Sequence, residues 1–155
     1  MKKMNNKGFS MVELIIVIAI MAILAAALAP ALIKYINKSR LSTDVSTGTS
    51  IASAVQTALS NESAFNDCGS SNKATYGGST GHNPFSGNMA SEMVNTMDPS
   101  KCKVKSKKDM DGSSFGSDAF LVTVDPTANT VEVFVGDASH MCSPSVQQSL
   151  TEKTH

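Results

Sequence analysis

The chain has 155 residues, of which 41% are hydrophobic and 17% are charged, a composition typical of a globular domain rather than a disordered chain. Its apolar residues are unevenly distributed, because the twenty residues from Leu14 to Ile33 carry no charge and are nearly all aliphatic. A helix needs this length to cross a bilayer, which excludes a simple soluble protein. After Arg40 the chain has seven lysines and twelve acidic residues, a balance of −5, so it offers no general electrostatic attraction to nucleic acid or anionic lipid.

The first element of the chain is a short basic leader followed directly by the apolar run. A secretory signal peptide usually has a shorter apolar region that ends in a small-residue cleavage site, and this run continues into Lys34 and Tyr35 without one. A membrane anchor therefore fits better. Charge cannot orient it, because three lysines precede the run and three basic residues follow it.

Glu13 lies at the start of the apolar run, where a carboxylate carried into the membrane costs on the order of a few kcal/mol and needs a cationic partner. The residues around it resemble the processing motif of type IV pilins and the related pseudopilins: Lys7, Gly8, Phe9, Ser10, Met11, Val12, Glu13, Leu14 and Ile15. Pro30 inside the run, with the polar extension after Lys34, is similar to that family too. The resemblance covers about the first forty residues.

The resemblance implies that a membrane prepilin peptidase cleaves between Gly8 and Phe9 and that the new amino terminus on Phe9 is methylated. Glycine lets the peptidase approach the backbone closely, and the leader lysines would remain at the cytoplasmic face. In an assembled filament the family pairs this glutamate with the terminus of a neighbouring subunit. Glu13 and Pro30 are thus the predicted assembly residues.

The implied fold is α+β: a long N-terminal helix, membrane-spanning in its first half, packed against a small C-terminal antiparallel sheet. We divide the chain into a leader (1–8), a transmembrane and assembly helix (9–33), an amphipathic half of the same helix (34–60) and a globular head (61–155). Pro30 removes one backbone donor, so we expect a kink or local unwinding there.

The second half of the helix is predicted from an apolar face that recurs at helical spacing. Its members are Leu41, Val45, Ala52, Val55 and Leu59. We expect the helix to end at about Ser60 and to carry the head.

Three further elements are predicted in the head. The segment from Asn66 to Asn83 is rich in Gly, Ser and Asn and indicates a loop. A short amphipathic helix is predicted from the spacing of Met89, Met93, Val94 and Met97. The runs Phe120–Asp125 and Thr130–Gly136 flank a turn-forming stretch and predict a β-hairpin.

Four alternating lysines, at positions 101, 103, 105 and 107, share one side of an extended segment. Two interpretations remain open: a charged edge strand that discourages unwanted pairing, or a basic stripe for an anionic surface. Asp109 and Asp111 resemble a calcium loop only faintly, because no distal glutamate completes it. We expect no metal, no cofactor and no enzymatic activity, since the three histidines are scattered and no nucleophile motif is present.

Three cysteines lie beyond the apolar run, which fits an extracytoplasmic domain with one disulfide and one remaining thiol. Three single bridges are possible. We select Cys68–Cys102, because it would close the Gly-rich loop of about 35 residues and stabilise a small core by roughly 3 to 4 kcal/mol.

We therefore expect a structural subunit of a type IV pilus-like filament, a single-pass membrane protein with an extracytoplasmic head before assembly into a surface pilus. Its partners would be other pilin subunits, the prepilin peptidase and methyltransferase, the pilus assembly platform and the cytoplasmic membrane; we do not expect nucleic acid. The alternatives are a pseudopilin of a type II secretion or DNA-uptake machine, and a membrane-anchored binding domain that never polymerises.

Overall fold

The computed structural model describes residues 8–68, 74–126, 128–145 and 150. Its internal contacts divide the chain into two units, residues 1–36 and residues 37–155. Helix α1 runs from Met11 to Leu59 and contributes residues to both units. It is helical through Pro30, so the local unwinding expected there does not occur, because losing one backbone donor does not end the helix. The kink stays a prediction.

In the second unit, one face of α1 is buried against the sheet. All five predicted apolar positions are on that face, with Val45 half-buried and the others buried. Five buried residues of α1 were not in the predicted set: Asp44, Gly48, Ile51, Ala54 and Ala58. An apolar pattern could not have included Asp44 and Gly48, because neither is hydrophobic. Gly48 lies so close to the sheet that an added Cβ atom would come within 2.2 Å of the Cys142 sulfur, so the missing side chain sets how closely helix and sheet approach.

The outer side of the same helical stretch carries a row of hydroxyl side chains that bond back to their own helix. Each donates to the carbonyl oxygen three or four residues earlier, at distances between 2.8 and 3.1 Å. The row consists of Thr43, Thr47, Thr49, Ser50, Ser53, Thr57 and Ser60.

The sheet has four antiparallel strands in the order β1-β2-β3-β4. The strands are β1 Ala74–Tyr76, β2 Phe120–Asp125, β3 Thr130–Val135 and β4 Met141–Ser143. Strands β2 and β3 form the predicted hairpin, and Val131, Val133 and Val135 of β3 are buried. The α+β fold class predicted from the resemblance is confirmed.

Two short helices cover the end of α1: α2 Glu62–Asp67 and α3 Gly87–Thr96. Asn61 caps α2 by accepting a hydrogen bond from the Ser63 N–H. At α3 the cap comes from α2 instead, because the Asp67 carboxylate accepts a hydrogen bond from the Asn88 N–H at 2.7 Å. The predicted amphipathic helix is present as α3, with Met89 and Met93 fully buried.

Strand β1 lies inside the segment that we predicted to be a loop. Its Tyr76 is fully buried and donates a hydrogen bond from its hydroxyl to the Met97 carbonyl oxygen. Gly77 follows with a φ of +83° and bonds to His82 across a tight turn. The glycines thus form the turn after a strand rather than an open loop, and the aromatic residue Tyr76 was the signal for that strand.

The lysine segment alternates as predicted, with lysines exposed and Cys102, Val104 and Ser106 buried between them, but it is not a strand of the sheet. A short 3-10 helix, Pro99–Lys101, precedes it. The backbone of the lysine segment bonds to several different partners. The Val104 N–H donates to the Asp118 carbonyl at 2.9 Å, and the Gly78 N–H donates to the Cys102 carbonyl at 2.7 Å. Extended backbone with mixed partners preserves the alternation without a β-ladder.

Candidate functional site

The predicted cleavage site lies in an exposed, non-helical segment just before α1. Residues 8–10 have no regular secondary structure, and Phe9 is 87% exposed. A Cβ atom added to Gly8 would meet nothing within 4 Å. The folded chain itself therefore does not require glycine at this position.

Ser10 and Glu13 form a reciprocal cap at the start of α1. The Ser10 N–H donates to Glu13 Oε2 at 2.9 Å, and the Ser10 hydroxyl oxygen accepts from the Val12 N–H at 3.3 Å. Serine followed three residues later by glutamate is the capping-box pattern, which satisfies backbone donors that the first helical turn leaves unpaired. Glu13 was predicted only as an ionic partner, so this local capping role is an addition from the structure.

The first unit presents its apolar side chains outward. Every residue from 8 to 36 is exposed, and this stretch holds seventeen of the nineteen large hydrophobic residues that are exposed in the described chain. By length and composition, α1 can cross a membrane. An apolar surface of this extent in water would favour association, so it requires lipid or other protein around it.

Asp44 is buried on the inner face of α1 and fixes the lysine segment. Its carboxylate accepts hydrogen bonds from the N–H groups of Lys105 and Ser106, both at 2.8 Å, and from the Ser106 hydroxyl. Three donors compensate the buried charge. The side chains of Lys105 and Lys107, on either side of Ser106, are exposed to solvent.

The lysine segment and Arg40 line an open groove of about 920 Å³, which we call the basic groove. Its lining includes five cationic side chains and one carboxylate: Arg40, Lys101, Lys103, Lys105, Lys107 and Asp118. Lys103 lies 3.2 Å from Asp118, and Lys101 lies 3.7 Å from Asp98. Hydrogen bonds from Ser79 and from Lys103 lower the pKa of the Asp118 carboxyl.

A buried imidazole connects two loops of the head, an arrangement that the sequence analysis did not predict. His140 lies between two carboxylates, with Nδ1 2.6 Å from Asp137 and Nε2 3.2 Å from Asp109. Phe115 meets the ring edge to face at a centroid distance of 4.9 Å.

Burial alone would raise the pKa of the Asp137 carboxyl, but hydrogen bonds from the Ser139 and Gly116 N–H groups and from His140 hold it below its usual 3.8. The Asp109 carboxylate also accepts from the Ser113 N–H at 2.8 Å. Both oxygens of the residue that resembled a calcium ligand thus have internal partners. Within the described ranges, no three candidate ligand side chains group together to hold a metal ion.

The three cysteines are thiols in the structure, with Cys102 and Cys142 buried and Cys68 half-buried. Burial raises the pKa of Cys102 to about 11 and that of Cys142 to about 12, and it also raises the pKa of Cys68. All three are therefore poor nucleophiles at neutral pH. The Cys68–Cys102 bridge stays a prediction.

Comparison with protein families places a known motif at the N-terminus. Residues 3–29 match the prokaryotic N-terminal methylation motif, the signature of type IV prepilins, as the residues around Gly8 and Glu13 predicted. That motif belongs to structural proteins rather than enzymes, and it implies processing by a prepilin peptidase. Comparisons with curated proteins and with solved structures found no match to the chain.

Proposed function

We propose that the protein is a structural subunit of a type IV pilus-like filament, cut by a prepilin peptidase and assembled through its apolar N-terminal helix. The observation that carries this proposal is the combination of the methylation motif with a largely apolar helix surface that is exposed from Met11 to Ile36. A head with its own buried core follows that helix. These are the parts that an assembling subunit needs.

Processing occurs between Gly8 and Phe9 and is followed by methylation of the Phe9 amine. The open surroundings of Gly8 support this role, because a residue that the folded chain does not constrain is free to meet the requirement of a peptidase. Intact-mass analysis of the membrane-associated protein should show loss of residues 1–8 and a gain of one methyl group. Retention of Met1 in assembled material would contradict the proposal.

Before assembly, residues 9–33 lie in the cytoplasmic membrane as a single span, with the head on the extracytoplasmic side. On assembly the same side chains exchange lipid for the helices of other subunits, so little hydrophobic free energy separates the two states. Small residues such as Ala25, Ala26 and Ala29 permit close helix approach, and Pro30 contributes to that packing surface. Residues 34–60 then connect this helix to the head, residues 61–155.

Glu13 pairs with the Phe9 amine of a neighbouring subunit during assembly. The capping contact uses Oε2, and no hydrogen bond is found for Oε1 among the described residues, so that oxygen remains available to a cation. The two charges then compensate one another in an apolar filament core.

Abundance in sheared surface filaments distinguishes this function from that of a pseudopilin, whose assemblies are short and remain in a secretion or DNA-uptake machine. We expect the chain to be a main component of long filaments seen by electron microscopy. The same material, mapped as peptides without reduction, tests the proposed Cys68–Cys102 bridge against the two other pairings and against three free thiols.

A further inference from the structure

The basic groove contains three cationic side chains without a carboxylate partner among the residues that the structure describes. Lys101 and Lys103 are paired with Asp98 and Asp118, as above. The others, Arg40, Lys105 and Lys107, are exposed and make no ion pair within the described ranges. The Lys105 backbone N–H donates to Asp44, so the point where this side chain leaves the surface is fixed.

Helices α2 and α3 carry three carboxylates and no cationic residue. Glu62 and Asp67 belong to α2, Glu92 belongs to α3, and neither helix contains a lysine or arginine. Side-chain bonds hold the two helices together, with Asn61 donating to Glu92 at 3.2 Å and Asn88 donating to Asp67. We call these three carboxylates the acidic end.

The two charged surfaces lie at different levels along α1. Arg40 lines the basic groove, whereas α2, which carries two of the three carboxylates, begins at Glu62, just beyond the end of α1 at Leu59. Nineteen residues of helix separate Arg40 from Leu59, or roughly 28 Å at 1.5 Å per residue. One copy of the head therefore carries complementary charges at two ends of the same helical stretch.

We propose that the basic groove of one subunit binds the acidic end of a second copy of this chain. This inference rests on the proposed filament function and specifies a contact between heads in it. Because the two surfaces differ, the contact is heterologous, and repeated heterologous contacts that do not close a ring build an open helical filament. Copies in contact would be shifted along α1 by roughly the same 28 Å.

A second copy fits the groove better than a long polyanion such as DNA. The three unpaired cations of the groove match the three carboxylates of the acidic end in number, whereas residues 37–155 carry nine basic and twelve acidic residues, a balance of −3 that disfavours a long polyanion beyond the groove. Among the described residues that line the groove, the one aromatic side chain is Phe115, which is half-buried and packs against His140, so it offers no platform for stacking bases.

Charge reversal in the full-length chain tests the contact. We expect Lys105→Glu with Lys107→Glu, and separately Glu62→Lys with Glu92→Lys, to lower the yield of sheared filaments about fivefold each relative to the membrane pool. Combining all four substitutions should restore at least about half of the wild-type yield, because opposite charges face each other again. The matched controls are Lys108→Glu, beside the groove, and Glu132→Lys on β3, which should change the yield less than about twofold.

A zero-length carbodiimide crosslink between lysine and carboxylate provides a second readout. In a mixture of isotopically light and heavy subunits, we expect intermolecular crosslinks from Lys105 or Lys107 to Glu62, Asp67 or Glu92. The same crosslinking can be run on the full-length chain in detergent, where no bilayer holds the copies at one level, so if the wild-type chain forms no filaments, the filament proposal fails while the contact is still tested. The contact would be overturned if these crosslinks were absent from both preparations. It would also be overturned if the variant that combines all four substitutions did not recover the filament yield. A third contrary result would be that those crosslinks are missing and that the chain instead binds a duplex DNA fragment in a salt-dependent way that requires Lys105 and Lys107.

Discussion

The two units of the chain use apolar side chains in opposite ways. From Phe9 to Ile36 they are all exposed, whereas in the second unit most of those on α1 and the sheet lie in a buried core that includes Tyr76, Met89 and Phe120. The head completes its own core, and the first unit depends on its surroundings to cover its surface. Folding and assembly are therefore separate problems, solved by different parts of one sequence.

The largest expected effect comes from removing the charge of Glu13. We expect Glu13→Ala to abolish filaments while leaving cleavage after Gly8 and the folding of the head unchanged, because the head does not include this residue. Electron microscopy of sheared material and intact mass of the membrane pool measure the two outcomes.

Glu13→Gln is the control that separates the charge from the cap. Glutamine can still accept from the Ser10 N–H, as glutamate does, but it cannot pair ionically with an amine. Normal filaments from this variant would show that capping, and not charge, is what assembly needs.

Removing the first unit tests the comparison from the other side. A fragment of residues 37–155 should be soluble, monomeric and cooperatively folded, because the exposed apolar surface is gone and the core remains. Sedimentation and a thermal melt check this. If the fragment formed filaments or failed to fold, the boundary between the assembly helix and the independently folding head would not lie at residue 37.

Within the head, we expect the largest loss of stability from Asp44→Ala. The substitution leaves two backbone donors and one hydroxyl of the lysine segment without their acceptor, which should lower the free energy of unfolding by about 3 to 5 kcal/mol. Ser106→Ala removes only one donor and should cost about 1 kcal/mol. Urea titration of the fragment measures both, and equal losses would show that the carboxylate is not the anchor.

Gly48→Ala should cost about 1 to 3 kcal/mol, because the new methyl group would overlap the Cys142 sulfur. In a Cys142→Ala background the overlap is absent, and alanine is the better helix former by roughly 1 kcal/mol. The same substitution should then be neutral or stabilising. A penalty that persists in this background would show that another contact restricts the helix.

The smallest effect concerns pH. Because Asp137 has a depressed pKa in the folded head, it contributes stability above its usual value of 3.8 and loses that contribution as the pH falls through the lower folded value. Unfolding free energies measured from pH 6 downward should therefore fall less steeply in Asp137→Asn than in the wild type. Identical slopes would remove Asp137 from the acid response.

The sequence predicted those features that have a local pattern. The apolar run, the hairpin and α3 follow from hydrophobic spacing, and the motif around Gly8 and Glu13 follows from composition and order. Contacts between distant residues could not be obtained in this way. Asp44 breaks the apolar pattern of its helix, and its partners are more than sixty residues away. His140 likewise meets Asp109 only because the fold brings two loops together.

The row of back-bonded hydroxyls on α1 changes how that outer surface interacts with water. Judged by residue type, it is among the most polar faces of the head, yet seven of its hydroxyl protons already point at carbonyl oxygens of the same helix. What remains toward solvent is lone pairs and methyl or methylene groups, so the face accepts hydrogen bonds from water but donates few. Its hydration is therefore weaker than residue hydropathy indicates, and drying this face requires few donor hydrogen bonds to be broken.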